Sequence, residues 1–486
     1  MCVRRTRSYS RSAQLLKGVR LLDNLKESCG VFGVYAPGED VSRITFFGIF
    51  ALQHRGQESA GIATADGGKL NLHTRMGLVS QVFEEDDLER LKGHIAIGHT
   101  RYSTTGSSRI INAQPILVKG PWGPMALAHN GNIVNAMELR ADLERQGAEF
   151  QTTTDSEAIA WMIAFAPGKT WQERLRYAMA RIKGAYSLTI LTPDTLIGVR
   201  DPLGVRPLCF GRLNGGWVIA SETCALEHLG AQVERDVRPG EVLIIDSQGL
   251  QTFNGATSER RAGCVFELIY FARPDSRIDG NLVYQSRETM GARLAIEHPV
   301  EADIVTGIPD SAVAAGLGYA RQANIPYSQV LTKNRYVGRT FIQPDQRLRD
   351  LGVRLKFNTL PEIIKGKRVV LVDDSIVRGT TTPHIVSILR KAGAAEVHMR
   401  VCAPPIRWSC HFGVDMATRS ELIAAQKSVE EIRVKIGADS LGYLSVDGLA
   451  ASVGGDDKTT FCNACFTGRY PIPVQLELDK FALETV

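Results

Sequence analysis

Features that mark membrane proteins and nucleic-acid-binding proteins are missing from this sequence. No apolar run reaches about 18 residues, so no segment is long enough to form a transmembrane helix. The 57 basic and 52 acidic residues leave a net charge of only +5, which is too weak and too dispersed to indicate a nucleic acid as partner. Internal repeats and low-complexity tracts do not occur either. We therefore expect a protein that binds neither membranes nor nucleic acids.

Cysteine is scarce, and no apolar signal segment would direct the chain to an oxidising compartment. Nine cysteines are scattered over 486 residues, and the basic residues 1–28 lack the apolar stretch of a secretory signal. We expect a reducing compartment, where cysteines catalyse reactions or bind metals rather than form disulfides. The leader superficially matches an organelle transit peptide, but it is short for a plastid address. We expect the cytoplasm and interpret residues 1–28 as a propeptide.

The remainder is typical of a soluble globular enzyme, with 44% hydrophobic and 22% charged residues. A chain of 486 residues is longer than one hydrophobic core usually serves, so two domains are expected. From residue 29 to about 255, short strands and a few helices do not alternate strictly, which predicts stacked α and β layers. From about 265 to 425, apolar strands alternate with helices, the pattern of a doubly wound parallel sheet that binds ligands at the carboxyl ends of its strands.

Particular elements follow from these patterns. In the first part we predict strands at Cys29–Tyr35, His94–Gly98, Met125–His129, Ser187–Leu191, Leu196–Val199, Trp217–Ser221 and Val242–Ile245, and helices at Arg43–His54, Ala136–Gln146 and Asp155–Phe165. In the second part we predict strands at Ile304–Gly307, Val369–Val372 and Val397–Val401, and helices at Ser311–Gln322 and Thr382–Ala392.

The run from Val369 to Thr381 carries the clearest chemical signal. An apolar strand leads into Asp373 and Asp374, and a loop of small hydroxyl, glycine and arginine residues follows. Carboxylates accept hydrogen bonds from ribose hydroxyls or lie near Mg²⁺, and backbone N–H groups at a helix start cradle a phosphate. The structural alternative is a strand that ends in a solvated acidic turn, but the tail Gly379–Thr381 favours a phosphate. The run resembles the phosphoribosyl diphosphate (PRPP) motif of type I phosphoribosyltransferases.

The first half combines a cysteine with several polar motifs, each of which alone has a structural explanation. Cys29 begins a predicted strand, where a cysteine is most often structural. Arg101 and Asn130 lie in polar turns after apolar strands, and Asp155 lies where a helix N-cap belongs. The motifs are Gln53–Gly61, His99–Thr104, His129–Asn132 and Thr152–Glu157.

Together these residue types suit hydrolysis of the glutamine side-chain amide. A thiolate attacks the amide carbon, and an asparagine side chain with a glycine N–H stabilises the oxyanion. An arginine holds the substrate carboxylate and an aspartate holds its ammonium group. No histidine base is needed if the α-amino group of the cysteine is the base. That requires cleavage before Cys29, which is why residues 1–28 are interpreted as a propeptide.

Residues 29–250 resemble the N-terminal-nucleophile (class II) glutamine amidotransferases. The motifs that carry the resemblance are Cys29-Gly-Val-Phe-Gly, His54-Arg55-Gly56, His99-Thr100-Arg101-Tyr102-Ser103, His129-Asn130-Gly131 and Asp155-Ser156-Glu157. The resemblance implies that Cys29 is the nucleophile and that Asn130 and Gly131 form the oxyanion hole. It also implies that Arg101 and Asp155 bind glutamine.

A class II glutaminase followed by a PRPP-binding domain is similar to the amidophosphoribosyltransferase family, from about residue 27 to 470. The resemblance implies an α+β N-terminal-nucleophile glutaminase domain of four αββα layers at 29–255. It also implies an α/β type I phosphoribosyltransferase domain at 265–470 with a cluster-binding C-terminal segment, and a tail at 471–486. The implied reaction converts glutamine, PRPP and water to 5-phosphoribosylamine, glutamate and pyrophosphate, the committed step of purine synthesis. Ammonia would pass between the two sites, purine nucleotides would inhibit, and the enzyme would be a homotetramer.

The same resemblance assigns the second site. Ser311, Asp373 and Asp374 would bind Mg²⁺. A basic run at 333–340, otherwise explained as a solvated loop, would close over PRPP as a flap. The residues implied to bind PRPP are Asp373, Asp374, Ser375, Arg378, Gly379, Thr380, Thr381, Lys333 and Arg335.

Four further cysteines indicate a metal site. Cys462 and Cys465 form a CxxC pair, for which spacing alone leaves a zinc knuckle, a redox motif and chance open. Cys264 and Cys410 would complete four thiolates for zinc or an iron–sulfur cluster. One branch of the amidophosphoribosyltransferase family carries a [4Fe–4S] cluster and a cleavable propeptide. The resemblance to that branch implies a structural [4Fe–4S] cluster on these four cysteines, with zinc as the alternative.

Two other functions compete with this interpretation. A glutaminase that serves another acceptor, such as a hexosamine-forming synthase, would not need the acidic pair and phosphate loop at 373–381. A PRPP-sensing regulator would not need Cys29, Arg101, Asn130 and Asp155, and the sequence shows no DNA-binding segment.

Overall fold

The computed structural model describes residues 29–102, 106–334, 357–416, 418–454 and 461–474. The predicted propeptide at 1–28, Arg335, most of the predicted flap at 333–340 and most of the predicted tail lie outside these ranges. Among the described residues, no helix combines the length and the apolar character needed to cross a bilayer.

The first half contains two antiparallel sheets and the helices that cover them. Its strands are β1 (Gly30–Tyr35), β2 (Ser59–Asp66), β3 (Lys69–Met76), β4 (Ile95–Arg101), β5 (Ile116–Gly120), β6 (Gly123–Ile133), β7 (Gly184–Leu191), β8 (Leu196–Arg200), β9 (Cys209–Leu213), β10 (Gly216–Ala220), β11 (Gln232–Asp236), β12 (Glu241–Asp246) and β13 (Gly249–Asn254). Its helices are α1 (Val41–Ala51), α2 (Val79–Val82), α3 (Glu85–Arg90), α4 (Ala136–Arg145), α5 (Asp155–Phe165), α6 (Trp171–Arg181) and α7 (Thr223–His228), with a 3₁₀ turn at Ile110–Asn112.

The two sheets stack face to face. One has the strand order β11-β9-β10-β1-β4-β2-β3 and the other β13-β12-β8-β7-β6-β5. Because successive side chains of a strand point to opposite faces, Val31 of β1 packs between the sheets with Ala128 and Leu243. Its neighbour Phe32 packs outward in the core that contains α1 and α7. Helices α4, α5 and α6 cover the other sheet, so the four-layer αββα prediction is confirmed.

The second half is built on a parallel sheet. Its strands are β14 (Gly263–Cys264), β15 (Arg277–Ile278), β16 (Asn281–Leu282), β17 (Ile304–Gly307), β18 (Leu331–Lys333), β19 (Phe357–Thr359), β20 (Arg368–Asp373), β21 (Glu396–Val401), β22 (Ser440–Tyr443) and β23 (Phe461–Cys462). Its helices are α8 (Val283–Glu297), α9 (Val313–Ala323), α10 (Pro361–Ile364), α11 (Thr382–Lys391), α12 (Ile423–Gln426), α13 (Val429–Ile436), α14 (Val446–Ser452) and α15 (Ala464–Thr467). A π-helix spans Glu267–Phe271 and a 3₁₀ turn spans Arg419–Glu421.

Helices cover both faces of this sheet, whose order is β17-β20-β21-β22. Val370 and Val372 of β20 pack with residues of α8 and α9, whereas Val369 and Leu371 pack with residues of α11 and α13. A parallel sheet buried on both faces favours near-continuous apolar strands, which β20 provides from Val369 to Val372. The predicted doubly wound α/β domain is confirmed.

Several local predictions were wrong. Arg101 and Asn130 do not lie in polar turns, because β4 runs to Arg101 and β6 runs to Ile133. Asp155 is the first residue of α5 rather than its N-cap, which is Thr154. Strands β2, β3, β5, β9, β11 and β13 were not predicted from the sequence.

Candidate active site

Strand pairing places Cys29 beside the end of β4. Gly30 of β1 is the register partner of Thr100, so the residue before β1 meets the residues that follow Thr100. The Cys29 Sγ donates to the backbone O of Tyr102 at 3.2 Å, and the Tyr102 N–H lies 3.4 Å from the same sulfur. Only 5% of Cys29 is exposed. The predicted nucleophile is therefore fixed by backbone contacts in an enclosed position.

The electrostatic surroundings of Cys29 keep its thiol protonated. Burial raises the pKa of the Cys29 thiol; the Tyr102 hydrogen bond and the charge of Arg101 lower it, and Glu58 and Asp155 raise it. A thiolate is the nucleophilic form. A nearby base must therefore take the proton before or during attack.

Arg101 and Asp155 lie within electrostatic reach of Cys29. Arg101 is buried, and its Nη1 donates to the backbone O of Ser107 at 3.2 Å and lies 3.7 Å from Oε2 of Glu58. Burial lowers the pKa of Arg101, while Cys29, Glu58 and Asp155 raise it. The structure thus brings together three of the residues predicted for glutamine chemistry.

Asn130 is a buried amide without a protein partner. It is fully buried, and neither its Nδ2 nor its Oδ1 has a hydrogen-bond partner among the described residues. An unpaired buried polar group costs about 1–3 kcal/mol, and a ligand that bonds to this amide would remove that cost. A 3.0 Å hydrogen bond from His99 Nε2 to the backbone O of His129 joins β4 to the residue before Asn130.

Gly131 lies in a position that admits no side chain. Its φ is +150°, and a Cβ there would lie 2.0 Å from the backbone O of Ala185 and 2.8 Å from Nε2 of His129. Burial lowers the pKa of both neighbouring histidines, that of His99 to about 3. Both imidazoles are therefore neutral near pH 7.

A cavity of about 260 Å³ lies at the carboxyl ends of β17 and β20. Asp374 is buried there and accepts hydrogen bonds from the hydroxyls of Ser311 and Ser375, the latter at 2.6 Å. Burial raises the pKa of Asp374, while the two serines and Arg287 lower it. The predicted residues that line the cavity are Ser311, Lys333, Asp373, Asp374, Ser375 and Thr381.

Other predicted residues take different positions. Arg378, Gly379 and Thr380 are not among the described residues that line the cavity; Arg378 lies 3.5 Å from a carboxylate oxygen of Glu421. Lys333 is the last residue of β18 rather than part of a loop, and its Nζ donates to Asp310 at 2.6 Å. Arg335 lies outside the described residues.

The polar loop between α1 and β2, which contains residues 54–57, contacts both sites. Arg55 donates from Nε to the backbone O of Cys29 at 3.0 Å, while His54 and Gln57 line the cavity that contains Asp374. The loop therefore joins the nucleophile to the edge of the second site.

Buried ion pairs hold this loop in place. The Arg55 guanidinium pairs with Glu222 and with Glu267, the latter at 2.7 and 3.0 Å, and His54 Nε2 lies 2.8 Å from Glu222. Burial alone would raise the pKa of Glu222, but His54 and Arg55 hold it well below its usual value. Sequence reasoning missed Glu222, Glu267 and Arg287. Each lies in an unremarkable local pattern and becomes informative only through its burial.

The four cysteines of the predicted metal site lie within electrostatic range of one another. Cys264 and Cys462 are register partners in the parallel pair β14–β23, and Cys465 lies in α15. Burial, with a smaller contribution from neighbouring cysteines that include Cys410, raises the pKa of Cys264 and of Cys462 to about 12. Arg206 is close enough for Cys264 and Cys410 to raise its pKa.

The chemistry of these four side chains is that of an iron or zinc site. Four thiols in mutual electrostatic range, of which Cys465 is buried and the others partly buried, would be costly as thiolates without a cation, which iron or zinc supplies. All four are free of disulfide bonds. In the part of the chain that the structure describes, no group of three or more His, Cys, Asp or Glu side chains is gathered tightly enough around one point for a metal ion.

Comparison with known proteins agrees with this architecture. Residues 99–228 match the glutamine amidotransferase domain family, and residues 288–407 match the phosphoribosyl transferase domain family. The chain is 51% identical over 477 residues to an amidophosphoribosyltransferase of Synechococcus elongatus, covering 96% of this chain and 97% of that protein. It is 48% identical over 457 residues to an amidophosphoribosyltransferase of Bacillus subtilis, covering 93% and 96%.

A solved structure extends the likeness to the whole fold. The glutamine PRPP amidotransferase from B. subtilis, complexed with ADP and GMP, superposes with a TM-score of 0.87 at 48% identity, covering 92% of this chain and 98% of that one. A second solved structure, described as the allosteric regulatory enzyme of purine biosynthesis, has the same TM-score and covers 93% and 97%. Relatives this similar over nearly the full length show that the chain belongs to the amidophosphoribosyltransferase family.

Proposed function

We propose that this chain carries out the reaction of its family by hydrolysing glutamine at Cys29 and delivering the ammonia to C1 of PRPP held above Asp373 and Asp374. The products are 5-phosphoribosylamine, glutamate and pyrophosphate. The observation that carries the assignment of sites is the loop that holds the Cys29 carbonyl through Arg55 and lines the Asp374 cavity through His54 and Gln57.

The glutaminase step uses residues of the first half. Asn130 Nδ2 and the Gly131 N–H stabilise the oxyanion, for which the unpaired Asn130 amide supports the assignment. Arg101 binds the glutamine carboxylate and Asp155 its ammonium group. With residues 1–28 removed as a propeptide, the α-amino group of Cys29 takes the thiol proton. The raised pKa of that thiol supports the need for a base.

The second step uses the cavity at β17 and β20. Asp373, Asp374 and Ser311 would hold Mg²⁺, which offsets the charge of the pyrophosphate leaving group when bound. The loop from Ser375 to Thr381 binds the 5′-phosphate at the start of α11. Lys333 and Arg335, in the predicted flap at 333–340, contact PRPP when the flap closes.

A structural [4Fe–4S] cluster on Cys264, Cys410, Cys462 and Cys465 is also proposed, supported by the mutual electrostatic range of their thiols. Purine nucleotides as inhibitors are supported by the B. subtilis structure complexed with ADP and GMP. A homotetramer and a cytoplasmic location complete the proposal.

The direct test is glutamate release by the purified protein with and without PRPP and Mg²⁺, with pyrophosphate followed in parallel. PRPP-stimulated glutamate that matches pyrophosphate is the expected result. Glutamate release indifferent to PRPP would assign another acceptor. Iron and acid-labile sulfide measured on anaerobically purified protein test the cluster, and stoichiometric zinc without sulfide would contradict it.

A further inference from the structure

Strand β6, which carries the proposed oxyanion residues, is contacted by a segment of the second half of the molecule. Asn132 of β6 donates from Nδ2 to the backbone O of His411 at 2.9 Å. Gly413 lies directly against Gly131, since a Cβ on Gly413 would be 2.6 Å from the carbonyl carbon of Gly131 and 2.8 Å from its oxygen. The two backbones touch at a distance that only glycine allows.

The segment that contacts β6, His411–Gly413, is itself fixed by buried groups. The backbone O of Phe412 accepts two hydrogen bonds from Arg206, from Nε at 3.0 Å and from Nη2 at 2.9 Å. The Arg206 side chain is fully buried. The Phe412 ring packs in a small core that includes Ala185 of β7, the register partner of Asn132. The segment therefore has little freedom to move away from β6.

Gly131 is thus enclosed on two sides. Ala185 and His129 occupy one side of its Cα, and Gly413 occupies the side of its carbonyl group. An oxyanion donor acts only when it is aimed at the position where charge develops, and misplacement by about 1 Å costs about 100-fold in rate. A displacement of this peptide would therefore reach the chemistry directly.

We propose that Gly413 is a positioning residue for glutamine hydrolysis: the phosphoribosyltransferase half, through His411–Gly413, holds the oxyanion strand of the glutaminase half in register. The inference rests on the proposed oxyanion role of Asn130 and Gly131. It adds to that role a structural dependence of the glutaminase on a segment about 280 residues away in sequence.

The test is Gly413→Ala, with Gly366→Ala as its matched control. Both glycines have positive φ, +95° and +73°, but nothing lies within 4 Å of a Cβ at Gly366. Gly413→Ala is expected to lower kcat for glutamine hydrolysis by about 10- to 100-fold, with KM for glutamine and the ammonia-dependent synthesis within about twofold of the unsubstituted enzyme. Gly366→Ala is expected to leave all three values unchanged.

A double-mutant cycle separates positioning from general damage. If Gly413 acts through the oxyanion hole, Gly413→Ala should cost less than about threefold in an Asn130→Ala background. Equal losses in both backgrounds, or equal losses of the glutamine-dependent and ammonia-dependent reactions, would overturn the proposal. So would an unchanged kcat in Gly413→Ala.

A milder variant decides the question if Gly413→Ala does not fold. Asn132→Ser shortens the donor to His411 and should lower kcat for glutamine by about 3- to 10-fold with KM unchanged; no change in kcat would then overturn the inference. The parent assignment has its own control, because Asn130→Ala without effect on glutamine hydrolysis would remove the proposed oxyanion hole. An effect of Asn130→Ala without an effect of Gly413→Ala or Asn132→Ser would remove only the positioning role.

Discussion

The two candidate sites are enclosed to different degrees and built from different parts of their folds. Around Cys29, the side chains of Arg101 and Asn130 are buried and come from β4 and β6. Around Asp374, the polar groups come from turns after β17 and β20 and line an open cavity. The difference matches the chemistry, because a covalent amide hydrolysis needs fixed donors and little water, whereas a polyphosphorylated sugar must enter and leave.

The comparison also shows where the sites depend on each other. The glutaminase site receives its support from both halves, through Arg55 with Glu267 and through Asn132 with His411. Among the described residues that line the cavity of the candidate PRPP site, only His54 and Gln57 come from the first half. We therefore expect changes in the second half to disturb glutamine hydrolysis more than changes in the first half disturb PRPP binding.

The broadest expected effect is the loss of both reactions on removal of one carboxylate. Asp374→Ala should lower the glutamine-dependent and ammonia-dependent syntheses by at least about 100-fold, since both need PRPP beside Mg²⁺. Pyrophosphate release with each nitrogen donor measures this effect. Glu301→Ala, at a carboxylate that is 94% exposed, is the control. Retained ammonia-dependent activity would remove Asp374 from the PRPP site.

Loss of the nucleophile should separate the two sites. Cys29→Ala is expected to lower glutamine-dependent synthesis by at least about 1,000-fold and to leave ammonia-dependent synthesis within about twofold. Cys209→Ala, at another buried thiol, is the matched control. If both reactions disappear in Cys29→Ala while the control is active, the two chemistries do not occupy separate sites.

Loss of the oxyanion donor should be smaller and confined to kcat. Asn130→Ala is expected to lower kcat for glutamine hydrolysis by about 100- to 1,000-fold with KM little changed. Asn135→Ala, at a partly exposed asparagine just beyond the same strand, should have no such effect. A rise in KM with unchanged kcat would instead assign Asn130 to ground-state binding of glutamine.

The remaining expected effect is on stability rather than on chemistry. Because Glu222 has a pKa below its usual value in the folded state, its carboxylate stabilises the fold above the unfolded-state pKa of about 4.3, and that contribution is lost as pH falls below it. Glu222→Gln should lower the free energy of unfolding at pH 7 by about 3–5 kcal/mol, since it leaves Arg55 without one of its buried carboxylates.

Denaturant unfolding between pH 7 and pH 3 measures this prediction. The difference between Glu222→Gln and the unsubstituted protein should shrink as the pH falls. Glu89→Gln, at an exposed carboxylate, should not differ from the unsubstituted protein at either pH. A difference for Glu222→Gln that is independent of pH would mean that Arg55 and His54 do not keep the Glu222 carboxylate ionised.

The local pattern of apolar and polar residues was sufficient to predict the main helices and strands of the fold. The predicted α5 agrees with the observed bounds Asp155–Phe165, and β17 agrees at Ile304–Gly307, because both are continuous apolar stretches with clear ends. Strand β3 at Lys69–Met76 was missed because it is half-exposed and mostly polar, and among the described strands it pairs with β2 alone. Arg101 and Asn130 were placed in turns because polar residues rarely end a buried strand unless a site requires them.

The sequence by itself determined the two-domain division, the αββα and α/β layers and the family, because apolar periodicity and short motifs are local properties of a chain. It also supplied Cys29, Arg101, Asn130, Asp155 and the Asp373-Asp374 pair as candidates, whose roles remain predictions. Only the tertiary structure decided which groups surround them. The ion pairs of Arg55 with Glu222 and Glu267, and the contact of Gly413 with Gly131, join residues more than 150 positions apart. Burial and close backbone approach of that kind arise from packing, which no local pattern records.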